Sequence, residues 1–176
     1  MYSLTNLLKS WQVKVVLPHV TGRLLDIGCG TNQLVRSYNG VGTGVDVHDC
    51  GDVDVAIENS SDLSFEDGSF ETITIIAAFN HIPNRDAILN EAYRLLSTNG
   101  TMIINMVPPR ISFIWHKLRS RSDPDQIERT HHHHHEVWGI TQSDLKETIN
   151  ITRFEIESEI KFMCGIKTMT IDRKID

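Results

Sequence analysis

Apolar residues recur along this chain in two periods, and the change of period marks its elements. Leu4, Leu7, Leu8, Trp11 and Val15 fall at helical spacing. With Ser3 or Thr5 as a cap and Pro18 as a stop, they predict a leading amphipathic helix within residues 1–19. "GRLLDIG" reads as a short buried strand, "TNQLVRSY" as a short helix, and "GVGTGVDV" as a second strand ending at Asp46. In "DVDVAI", Val53, Val55 and Ile57 alternate with polar residues, which predicts a brief third strand. The β-branched run "SFETITIIAAF", bounded by the turn cluster "EDGS", is a fourth. In "NRDAILNEAYRLL", Ile88, Leu89, Ala92, Leu95 and Leu96 share one helical face, with Asn84 as cap and "STNG" as the C-terminal stop. "GTMIINMV" is the next buried strand and "TQSDLKETIN" a helix capped by Thr141. "RFEIESEIKFM" and "IKTMTIDR" alternate as a terminal antiparallel pair.

Strands alternating with helices and then two strands in succession imply an α/β fold, a doubly wound, mostly parallel sheet with an antiparallel C-terminal edge. In such sheets ligands bind beyond the carboxyl ends of the strands, where the strand order reverses. The turn at Gly28 is expected there.

Length and composition bound the rest. The 176 residues suit one domain, and 40% hydrophobic with 23% charged residues is an ordinary globular composition. The net charge of −6 makes nucleic acid a poor default partner. Cys29, Cys50 and Cys164 are odd in number and form no CxxC pair, so neither a disulfide framework nor a zinc knuckle is expected. A reducing cytoplasm is the simplest setting. No secretory h-region opens the sequence and no stretch approaches the roughly 20 apolar residues of a membrane span, while peripheral membrane contact stays open.

The candidate chemistry begins at "LLDIGCGTNQL". A dinucleotide site wants G-x-G-x-x-G, and here Gly28, Cys29, Gly30, Thr31, Asn32 and Gln33 lack the third glycine. Asp26 places a carboxylate beside the turn, which disfavours a pyrophosphate and favours a cationic ligand. Asp46, at the end of the next strand, stands where a carboxylate accepts ribose hydroxyls. A ribose with a positive charge instead of phosphates describes S-adenosylmethionine.

"LLDIGCGTN", "GVDV", "DLSFEDGSFETITIIAAFNHI" and "ILNEAYRLLSTNGTMIINMV" together resemble the successive motifs of class I S-adenosylmethionine-dependent methyltransferases over about residues 20 to 107. The subgroup most resembled includes the ubiquinone and menaquinone biosynthesis methyltransferases. The resemblance implies a Rossmann-like sheet of seven strands with the last inserted antiparallel. It also implies that Asp26, Gly28, Cys29 and Gly30 line the methionine end, and that Asp46 with the Val47 backbone holds the ribose. By the same resemblance Asp62 and Leu63 meet the adenine, and Asn80 and His81 stand near the transferable methyl.

His81 is the candidate base, needed only if the acceptor must lose a proton, against a packing role before Pro83. No N/D-P-P-Y/F/W motif follows the fourth strand, where the chain reads "FNHIP". Residues 108–140 depart from the common core and are expected to form a lid or substrate segment, with His116 and Trp138 as candidate acceptor contacts. The internal run His131 to His135 reads as a native surface loop, and no metal site is expected. The implied function is methyl transfer to a small-molecule acceptor: a quinone precursor, a sugar or a lipid-linked metabolite. The competing readings are a non-catalytic S-adenosylmethionine-binding sensor or partner subunit and, disfavoured by Asp26 and the missing glycine, a nicotinamide-dependent oxidoreductase.

Overall fold

A computed structural model describes residues 4–48, 51–79, 82, 84–106 and 141–175. In chain order these form α1 (Leu4–Val16), a 3₁₀ turn (Leu17–His19), β1 (Leu24–Ile27), α2 (Gln33–Ser37), β2 (Gly42–Asp46), β3 (Val55–Ala56) and β4 (Phe70–Ile76). Then follow α3 (Arg85–Leu95), β5 (Leu96–Met106), α4 (Gln142–Ile151), β6 (Phe154–Phe162) and β7 (Lys167–Lys174). The strands make one sheet in the order β3-β2-β1-β4-β5-β7-β6. β1 pairs in parallel with β2 and β4, and β4 with β5. β7 runs antiparallel to both neighbours, so the reversed strand lies one place in from the edge and β6 is outermost.

Alternation along each strand feeds two apolar layers. Leu25, Ile27, Ile73, Ile75, Met102 and Ile104 face α3 and α4, which contribute Ile88, Leu89, Ala92, Leu95, Leu145 and Ile149. Leu24, Ile103, Met169 and Ile171 face the opposite layer, with Val16 of α1 and Leu34 of α2. From β1 the chain winds outward to β3 and returns to β4 on the other side, so the order reverses between β1 and β4. In sheets of this kind ligands bind beyond the carboxyl ends of the strands at such a reversal.

Local chemistry sets the boundaries. Asn84 caps α3 by accepting the Ala87 N–H, and Thr141 forms a capping box with Asp144 on α4. Three expectations need correction. "STNG" is no separate stop: β5 starts at Leu96, directly after α3, and absorbs these residues as a bulge between its Phe70 and Thr72 pairings. Asn99 takes a positive φ of 60° there, tolerable for a short polar side chain. The third strand shrinks to Val55 and Ala56, both exposed, because only Val45 and Asp46 pair with it. On α1 the buried line runs through Gln12 and Val16, leaving Leu7 and Trp11 63% and 45% exposed. Among the described residues no helix is long and apolar enough to cross a membrane.

Candidate functional site

The end of β1 turns through Cys29 because two amides reach across to the next strand. Gly28 N–H and Cys29 N–H both donate to the Val45 carbonyl, at 2.8 and 3.1 Å. Gly28 has φ +75°, and a Cβ there would stand 2.5 Å from the Ala78 Cβ, beyond β4. Glycine is therefore required twice over, for backbone conformation and for space. Gly30 also has a positive φ, +53°, but a Cβ on it would meet nothing within 4 Å. Its open side is where a ligand has room.

Two carboxylates flank this turn. Asp46 ends β2 and accepts the Gly30 N–H on Oδ2 at 2.8 Å and the His48 N–H on Oδ1 at 3.0 Å. It thus fixes the turn to the second strand. Asp26 lies inside β1, 3% exposed, with the Thr74 hydroxyl donating to Oδ1 at 2.6 Å. Burial pushes its carboxyl up to about 7; the Thr74 hydrogen bond works against the rise and the Asp46 charge adds to it. Burial, then Asp26, Asp46 and Asp54, push the Cys29 thiol up to about 12, so it stays protonated. The field at this turn is negative.

The residues that shape this site include several the sequence did not mark. Asn32, 1% exposed, takes the left-handed conformation at the head of α2. Its Nδ2 donates to Asp54 Oδ2 at 2.9 Å and to the Asp52 carbonyl at 3.0 Å. Asp54 also accepts the Gly44 N–H at 2.7 Å, which ties the turn, β2 and the approach to β3 together. Thr74 and Asp54 lie 48 and 22 residues from the groups they hold, so only the β1–β4 and β2–β3 pairings reveal them.

Asp62 is exposed and next to Leu63, which is buried. The Leu63 N–H donates to Glu91 Oε1 at 2.8 Å and its carbonyl accepts from Arg94. Burial raises the Glu91 carboxyl, yet hydrogen bonds from Arg94 and Leu63 outweigh it and hold the group below its ordinary range. α3 thereby clamps the Leu63 backbone. Val47, just past Asp46, is half exposed at the same edge. Asp26, Gly28, Cys29, Gly30 and Asp46 are thus brought together. Asn80, His81, His116, Trp138 and the His131–His135 run lie outside the described residues. Among those described, no group of His, Cys, Asp and Glu is arranged to hold a metal.

The turn and both carboxylates fall inside a recognisable stretch. Residues 25–104 match the methyltransferase-domain family. Over 46 residues the chain is 41% identical to the ubiquinone/menaquinone biosynthesis C-methyltransferase of Rhizobium johnstonii, covering 26% of this chain and 18% of that one. Over 100 residues it is 28% identical to the ubiquinone biosynthesis O-methyltransferase of Xanthomonas oryzae pv. oryzae, covering 47% and 42%. The chain thus spans less than half the length of these curated relatives. In fold it is similar to an S-adenosylmethionine-dependent methyltransferase of Methanosarcina mazei, with a TM-score of 0.61, 19% identity, and coverage of 91% and 97%. With the glycine turn and both carboxylates inside the matched stretch and the reversed strand next to the sheet edge, the chain is similar to the class I S-adenosylmethionine-dependent methyltransferases in that stretch and in its fold.

Proposed function

We propose that the protein binds S-adenosylmethionine over the Gly28–Gly30 turn and transfers a methyl group to a small-molecule acceptor. The observation that carries this reading is the carboxylate pair, Asp26 and Asp46, flanking a turn whose Gly30 side is open. Two negative groups repel a pyrophosphate and attract a sulfonium and an ammonium. Asp26, Gly28, Cys29 and Gly30 would hold the methionine end. Asp46 and the Val47 backbone would hold the ribose. Asp62 and the Leu63 side chain would border the adenine, while the Leu63 backbone stays with α3.

When bound, the cofactor supplies a methyl group already activated on a sulfonium, so no Lewis acid is demanded. The chain's own task is to align the acceptor and exclude water, worth several kcal/mol of the barrier. We assign to His81 the removal of a proton from the acceptor, and to Asn80 a place beside it. His116 and Trp138 remain our candidates for acceptor contact.

The two curated relatives are named for quinone biosynthesis, one a C- and the other an O-methyltransferase. On that support we rank a quinone precursor first among acceptors, ahead of a sugar or a lipid-linked metabolite, with the receiving atom left open. Calorimetry with S-adenosylmethionine, S-adenosylhomocysteine and NAD tests the first step. An acceptor panel followed by S-adenosylhomocysteine release tests the second. Cofactor binding with release supports the proposal. Binding with no release across the panel moves the chain to a non-catalytic binder, and a preference for NAD overturns the reading altogether.

A further inference from the structure

The start of the chain combines exposed apolar side chains with basic residues that no acidic residue offsets. The first 25 residues hold Lys9, Lys14 and Arg23 and no acidic residue, in a chain of net charge −6. On α1, Leu7 and Trp11 lie one turn apart and are 63% and 45% exposed, with Lys9 and Lys14 also exposed. Gln12 and Val16 on the inner side are buried.

The same apolar layer joins α1 to the tip of the β6–β7 hairpin, because Phe162 and Met163 pack in it with Val16, Leu8 and Val13. That tip, Lys161 to Lys167, also has no acidic residue; Lys161 is exposed and Ile166 is 41% exposed. β6 runs in the same direction as β1, β4 and β5, since β7 is antiparallel to β5 and to β6. Its end therefore falls on the edge of the sheet that carries the Gly28 turn. α1 reaches that edge as well: Ser10 Oγ accepts from Gln33 Nε2 at 3.0 Å, and Gln33 opens α2 just after the turn.

We propose that the outer face of α1, with the β6–β7 tip beside it, docks on an anionic lipid surface. A tryptophan and a leucine with Lys14 on the same helical face, and the exposed Lys9 near the start of the helix, suit the boundary between headgroups and acyl chains. Each lysine near an anionic leaflet adds an attraction that the acidic remainder of the chain lacks. Neutral lipid would gain only the two or three apolar contacts and hold the protein weakly. Docking on this edge would present the site to a membrane-borne acceptor, a consequence that rests on the methyl-transfer reading; the docking itself does not.

The test is co-sedimentation of the full chain with vesicles of phosphatidylcholine alone or mixed with phosphatidylglycerol, at low and high salt. Binding to the anionic vesicles that high salt removes is the expected result. Lys9→Glu with Lys14→Glu, and separately Leu7→Ser with Trp11→Ser, should each lower the partition coefficient roughly tenfold or more. Cofactor affinity and circular dichroism should stay unchanged in both variants and show that each still folds. Equal binding to both vesicle types, or none to either, overturns the proposal. So does a dimer in sedimentation velocity that the Leu7 and Trp11 changes dissolve without vesicle binding, which would make this face a self-contact. Failure to bind S-adenosylmethionine would instead strike the methyl-transfer reading and leave the vesicle result standing.

Discussion

Asp26 should make cofactor capture depend on pH. In the free protein, burial pushes its carboxyl up to about 7, with the Thr74 hydroxyl opposing and Asp46 reinforcing the rise. From the ordinary value of 3.8 that is about three units, on the order of 4 kcal/mol against the ionised form. A cationic ligand beside the carboxyl reverses the preference, so binding at lower pH must expel the proton. Affinity then falls about tenfold per pH unit below the free-state value, or roughly 20-fold between about pH 7.5 and about pH 5.5. Calorimetry of S-adenosylmethionine in buffers of different ionisation enthalpy counts the proton: close to one released at about pH 6, few at the upper end. Asp26→Asn keeps the shape and an acceptor for Thr74, so it should bind more weakly at about pH 7.5 and lose the slope. The variant also supplies the baseline for titration of the ligand itself. A wild-type dissociation constant that stays level over this range, with the ligand still binding, would refute the reasoning.

Asp46→Ala should weaken S-adenosylmethionine roughly 10- to 100-fold by calorimetry, since charge-assisted hydrogen bonds worth about 1.5–3 kcal/mol are lost and Gly30 loses its anchor; unchanged affinity would remove Asp46 from the ribose site. Gly28→Ala should chiefly lower the melting temperature, because its Cβ would press on Ala78, whereas Gly30→Ala should chiefly cost cofactor affinity, because its Cβ enters the open side of the turn; the opposite ranking would undo the assignment of that side to a ligand. Asp172 is fully buried and burial pushes it up to about 7 against the Thr170 hydrogen bond. Between the ordinary 3.8 and about 7 the folded state therefore holds a proton that the unfolded chain has released, and stability falls as pH rises through that window. Asp172→Asn should lose this term and gain a few kcal/mol in urea unfolding at about pH 8; identical wild-type and variant profiles would contradict it. His81→Ala should depress turnover strongly and leave cofactor affinity within a few-fold, and an unaltered pH–rate profile would return His81 to a packing role.

What the sequence determined by itself was local. Period-2 and period-3.6 spacing placed the helices and strands, and Asn84 and Thr141 marked helix starts, because caps act within one turn of chain. Gly28, Gly30, Asp26 and Asp46 were legible for the same reason: a tight turn and a strand end each need particular residues at fixed short offsets. Which face of α1 turns inward was not local. Leu7 and Trp11 fit a helical stripe as well as Leu8, Gln12 and Val16 do, and only the sheet beneath selects the second, burying even a glutamine. The bulge that absorbs "STNG" depends likewise on the register of β4 against β5. The carboxyl of Asp26 owes its proton affinity to burial between the strands on either side, against the pull of a hydroxyl 48 residues away. Periodicity carries no trace of such contacts, because strand pairing and burial are settled between segments far apart in the chain. Tertiary structure alone decided them.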